Sequence, residues 1–79
     1  MKQTTIFADF NNRDVDGCLR LNTVGSMADL ATCSIRLEEG MELSVSDGDL
    51  IAKIVVRAPG LEGVWRGQIV SGPVEAGDG

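Results

Sequence analysis

Chemistry in this chain would have to start from one acidic turn, one carboxylate pair and two cysteines. Asn12-Arg13-Asp14-Val15-Asp16-Gly17 sets oxygen-bearing side chains at alternate positions ahead of a glycine, which is how a calcium loop opens. Calcium requires several hard oxygens converging on one point, and the glycine allows the sharp turn. The pattern then fails. Its first position is Asn rather than Asp, and its twelfth is Thr23, where a bidentate Glu is needed. The expectation is a polar turn whose Asn and Asp side chains satisfy backbone groups, with weak calcium binding at residues 12–17 as an alternative.

Asp47-Gly48-Asp49 offers two carboxylates for acid–base work. Acids in a turn are solvated, and no apolar wall stands beside them to raise a pKa. Cys18 and Cys33 form no Cys-x-x-Cys pair and cannot complete a tetrahedral zinc site without carboxylates or a second chain. Their remaining catalytic use is as a thiol nucleophile activated by an arginine. Lys53 is the one candidate for amine chemistry beyond the N-terminal Lys2. With no histidine and no tyrosine, the commonest general base, metal ligand and proton switch are missing. A Ser-His-Asp or Cys-His arrangement cannot be assembled within one copy. The expectation is a protein that is not an enzyme and uses no cofactor.

The scaffold for any site is small. Seventy-nine residues make one domain. A chain of this size hides only about 60% of the surface its unfolded form exposes, so a deep cleft is hard to build. Apolar residues are 43% of the chain and charged residues 24%, a globular balance.

The dominant period along the chain is two, the signature of half-buried strands. Thr4–Phe10 places Ile6, Ala8 and Phe10 on one face, and Cys18–Thr23 places Leu19 and Leu21. Thr32–Leu37 turns Cys33, Ile35 and Leu37 inward, and Met41–Ser46 does the same with Met41, Leu43 and Val45. Leu50–Ala58 sets Ala52, Ile54 and Val56 against Lys53, Val55 and Arg57; Val64–Val70 sets Trp65, Gly67 and Ile69 against Arg66 and Gln68. Asp47-Gly48-Asp49 suits a hairpin turn, and Pro59-Gly60 suits a type II turn. Val24–Ala31 breaks the period, and Ser26 with Asp29 would cap one helical turn there.

The fold expected is all-β: a small antiparallel half-open barrel, SH3-like in general architecture. It would have five to six short strands and a helical turn near residues 26–31. Residues 1–70 would form the barrel and residues 71–79 a flexible acidic C-terminal tail.

Five of the seven bases fall at outward strand positions: Arg20, Arg36, Lys53, Arg57 and Arg66. The acids gather in turns. Neighbouring strands would give several guanidinium groups one surface, suited to carboxylate or phosphate. Trp65 is either core or a half-exposed anchor, and Gly63 and Gly67 beside it mark a bulge or room for the indole. Leu61 would sit exposed on a glycine-rich loop, and Val55 on the wet side of the longest strand. The function expected is a non-enzymatic interaction module for a protein partner or a second copy. Its contacts would be Trp65, Leu61, Val55, Arg20, Arg36, Lys53, Arg57 and Arg66. The alternative is anion or nucleic-acid binding through the basic face. Nucleic acid is disfavoured by a net charge of −5 and the lack of exposed aromatics for stacking. No membrane span or signal-like segment is legible, so the expected setting is the cytoplasm, with two reduced, mostly buried thiols.

Overall fold

The structure is a computed structural model, and it describes residues 5–75. Alternating side chains build five strands, and one helix interrupts them. The elements are β1 (Thr5–Phe7), β2 (Leu19–Arg20), α1 (Val24–Thr32), β3 (Glu42–Ser46), β4 (Leu50–Arg57) and β5 (Arg66–Glu75). They form one curled, open half-barrel in the order β1-β3-β4-β5-β2, the small all-β barrel that the period of two predicts.

The inward face holds the side chains expected there. Ile6, Ala8, Phe10, Leu19, Leu21, Leu43, Val45, Ala52, Ile54 and Val56 form one buried cluster. Each large aliphatic side chain moved from water into such a core contributes about 1.5–3 kcal/mol. β3 and β4 are joined by the Asp47-Gly48-Asp49 turn, where Gly48 takes the positive φ of 103°. One Asp47 carboxylate oxygen accepts the Asp49 and Leu50 N–H groups at 2.9 and 2.8 Å. Those donations hold the Asp47 carboxyl below its ordinary value.

Three ladders are antiparallel, but β1 runs parallel to β3, against the antiparallel expectation for this pair. The cause lies in the route of the chain. After β1 it crosses to the far edge of the sheet, burying Ala8 and Phe10 on the way, before β2 pairs with β5.

The expected strand at Thr32–Leu37 is absent. Helix α1 extends to Thr32 and closes on a left-handed cap. Ser34 takes φ 56°, its N–H donates to the Ala31 carbonyl, and the Ile35 N–H donates to the Leu30 carbonyl at 2.9 Å. Ile35 and Leu37 still pack on the core, so the same apolar spacing is satisfied by a helix end and a loop. Cys33, expected inward, is exposed, while Cys18 is buried; neither is in a disulfide.

The helix is also capped differently from expectation. Thr23 is the N-cap and accepts the Ser26 N–H at 3.1 Å. Ser26 and Asp29 instead face β1: the Ser26 hydroxyl donates to the Phe7 carbonyl at 2.6 Å, and the Phe7 N–H donates to the Asp29 carboxylate at 2.8 Å. The helix comes this close because residue 25 is glycine. A Cβ there would lie 2.7 Å from the Phe7 ring.

Residues 71–75, expected to open a flexible tail, are strand instead. Ser71, Val74 and Glu75 pair with Lys53, Ile51 and Leu50, so β5 outlasts the glycine–proline step. Residues 76–79 of that expected tail lie outside the described residues. At the other end of β5, Gly67 is buried because Ile54 occupies the space its side chain would need. The room it leaves is therefore filled by Ile54, not by the Trp65 indole.

Candidate functional site: an arginine-lined end of the sheet

Strand register sets three arginines side by side. Arg57 of β4 lies opposite Arg66 of β5, and Arg66 lies opposite Arg20 of β2. Like charges at directly opposed positions destabilise a sheet, so each cation needs a partner or a task.

Among the described residues, two of the three have carboxylate partners. Arg20 grips Glu62 with two parallel bonds, Nε to Oε1 at 2.8 Å and Nη2 to Oε2 at 2.9 Å. Its remaining Nη1 donates to the Asn12 side chain and the Arg13 carbonyl. This grip holds the Glu62 carboxyl below its ordinary value. Arg66 donates through Nη1 to Asp14 at 3.3 Å and Asp16 at 3.4 Å, and through Nε and Nη2 to the Ala58 carbonyl. The two arginines thereby tie loops 8–18 and 58–65 to the sheet.

Asp14 is the anchor of the first loop. Its side chain is only 7% exposed. One oxygen accepts the Asp16 and Cys18 N–H groups at 2.9 and 3.0 Å, while the other faces Arg66. Burial pushes the carboxyl up, but the Cys18 and Asp16 N–H groups and the Arg66 guanidinium outweigh it, and Asp14 stays below the ordinary range. A cation at residues 12–17 would compete with that guanidinium and those donors for the same oxygens. Among the described residues, no group of three or more Cys, Asp and Glu side chains is placed to hold a metal ion. The Asp14 side chain satisfies backbone groups of its own loop, as expected of a polar turn.

Arg13 and Arg57 differ from their neighbours. The Arg13 Nε donates to the Phe10 carbonyl, and Arg57 donates to the Gln68 side chain at 3.0 and 2.6 Å. Among the described residues neither has an ion pair. Both line one groove of about 490 Å³ with Cys18, Arg66, Gln68 and Ile69. This end of the molecule thus gathers four guanidinium groups against the carboxylates of Asp14, Asp16 and Glu62, within a chain of net charge −5. Beside it lies a groove of about 430 Å³ lined by Val15, Leu61, Glu62 and Arg66. Leu61 and Val15 are fully exposed, at 110% and 96%. Sequence reading missed Arg13 and Val15, because both lie in a loop whose position depends on Arg20 and Arg66.

The other expected contacts are scattered. Lys53 lies on the outer face of β4 opposite Ser44 and Ser71, and half-buried Val55 lies opposite Glu42 and Gln68. Arg36 is not strand-borne, since its segment follows the helix cap. It rims a separate apolar groove of about 580 Å³ with Leu21, Met27, Leu30, Leu37 and Trp65. Trp65 is half-buried, one side on the core and the other on that groove. The five bases expected on strands therefore do not share one surface.

Burial and the Asp14 carboxylate together push the Cys18 thiol up, away from the nucleophilic thiolate. No helix among the described residues is long and apolar enough to cross a membrane. No protein-family model, curated protein or solved structure matches the chain.

Proposed function

We propose that this chain is a non-enzymatic interaction module whose arginine-lined end takes an acidic, partly apolar segment of a protein. The observation that carries this reading is the placing of Arg13 and Arg57, two guanidinium groups with no carboxylate partner among the described residues, in one groove beside the exposed Leu61 and Val15. Arginine is enriched in binding hot spots, and the exposed Leu61 and Val15 beside it add apolar surface that a partner can bury. The loops bearing Leu61 and Val15 are fixed by Arg20 and Arg66, so little order is lost when a partner docks. Nucleic acid suits the end less well, because Trp65 sits in a different groove and offers no stacking platform beside the arginines. The absence of histidine and the raised Cys18 thiol support a binding role over catalysis. Two unpaired thiols favour a reducing compartment such as the cytoplasm.

The test is selection from a random peptide display library on the immobilised chain. Enriched peptides are expected to carry Asp or Glu among apolar residues and to bind at least about tenfold more weakly to Arg57→Gln or Leu61→Ser, with affinity falling as salt rises. No enrichment, or peptides indifferent to these substitutions, would refute the reading. Amide shifts with inorganic phosphate or an oligonucleotide, but not with acidic peptide, would transfer it to small anions or nucleic acid.

A further inference from the structure

Among the described residues the sheet leaves one long edge open, and it leads into the arginine groove. Along β5, β2 covers only Arg66 and Gly67. From Gln68 to Glu75 the strand has β4 on one side and, among the described residues, no strand on the other. The remaining edges are closed by other means. The free side of β1 is covered where Ser26 and Asp29 take the Phe7 carbonyl and N–H. The outer side of β2 is covered by loop 8–18, with the Arg20 N–H donating to the Asn12 carbonyl at 2.9 Å and an isolated bridge from Arg13 to Leu19. Unpaired strand edges are templates for another strand, which is why folds usually hide them.

The composition of this edge selects its occupant. Residues 67–74 carry no charge, so two copies of a chain of net charge −5 can lie together there without opposing like charges. Val70 and Val74 are 56% and 59% exposed. An antiparallel pairing about a two-fold axis at Gly72 sets Val70 against Val74 of the partner subunit, and does so twice. The same register sets Glu75 opposite Ile69 of the partner subunit. Ile69 lines the groove that holds Arg13 and Arg57.

We infer that the segment taken by the arginine groove is β5 of a second copy, which brings its one carboxylate, Glu75, so that the chain forms a symmetric dimer by strand addition along Ile69–Glu75. This rests on the reading of the groove given above and names its partner. The register of β5 against β4 shifts on either side of Lys53, and Pro73 supplies no N–H. Such irregularities keep the edge from templating an open ladder, and a two-fold contact uses the edge up, so assembly stops at two.

The test is light scattering on the 79-residue chain at about 1 µM and about 500 µM, since self-association is concentration-dependent. The mass is expected to double at the higher concentration. It should stay monomeric in Val74→Lys and in Glu75→Arg, and double again when Glu75→Arg is combined with Arg57→Glu. Val55→Lys, on the outer face of β4, should dimerise like the parent, with far-ultraviolet spectra confirming that each variant folds. A parent that stays monomeric throughout overturns the dimer, although peptide selection can still succeed, so the two readings fail separately. A dimer that survives Val74→Lys or Glu75→Arg also overturns it, because the copies would then meet elsewhere.

Discussion

Arg66 and Asp14 stand 52 residues apart in the chain, yet their side chains meet at 3.3 Å at the end of the sheet. The contact joins the loop after β1 to the first residue of the last strand, and it places a nearly buried carboxylate under a guanidinium. Its first consequence concerns acid. Asp14, Asp47 and Glu62 all have carboxyls held below their ordinary values in the folded chain. The unfolded chain therefore takes up protons first as pH falls, and stability drops with it. Stability from these groups should be fully present above the ordinary carboxylate range and lost progressively below about pH 4. Urea midpoints at pH 7, 5 and 3 check this. Asp14→Asn should lower the midpoint at pH 7 and flatten the acid branch.

Gly67→Ala should destabilise the barrel by about 1–3 kcal/mol, the usual cost of forcing extra volume into a packed core. The new methyl would run into Ile54, which is fully buried. Chemical denaturation should show a lower midpoint with an unchanged slope. Adding Ile54→Val should recover part of the loss.

Removing the Ser26 hydroxyl should cost about 1 kcal/mol, because the part-buried Phe7 carbonyl loses its side-chain donor. Amide exchange should show β1 opening more readily in Ser26→Ala than in the parent. Asp29→Ala should speed exchange at the Phe7 N–H itself, since that group donates to the Asp29 carboxylate.

The two thiols should separate by rate. Cys33 is exposed and should react promptly with a maleimide at neutral pH, whereas Cys18 is buried and its thiol is pushed up by burial and by Asp14. Cys18 is expected to label only as fast as the loop holding it opens. Mass spectrometry of partially labelled chain distinguishes the two sites, and Asp14→Asn should accelerate Cys18 alone.

Much of the barrel was legible because alternation reports burial directly. The inward positions from Ile6 to Val56 are buried wherever a strand was expected and formed. The helix was harder to read, because Ile35 and Leu37 meet the core equally well from a strand or from a loop after a helix cap. Nothing local distinguishes Ser26 as a gripping residue rather than a cap, since its partner is a backbone carbonyl 19 positions away. The site was only half visible for the same reason. Arg20, Arg57 and Arg66 announced themselves by facing outward on strands, but which of them is neutralised depends on where two loops land. Arg13 became relevant only once its loop was laid beside β5.

The parallel pairing of β1 with β3 has a bearing on biosynthesis. A ribosome releases Thr5–Phe7 early, but its strand neighbour, Glu42–Ser46, is translated only after α1 is complete. The nascent segment with Ile6, Ala8 and Phe10 thus waits for β3, the strand it pairs with, whereas β3 and β4 can close as a local hairpin. Local hairpins close faster than such distant pairings. The opening strand of the chain is therefore among the last to settle.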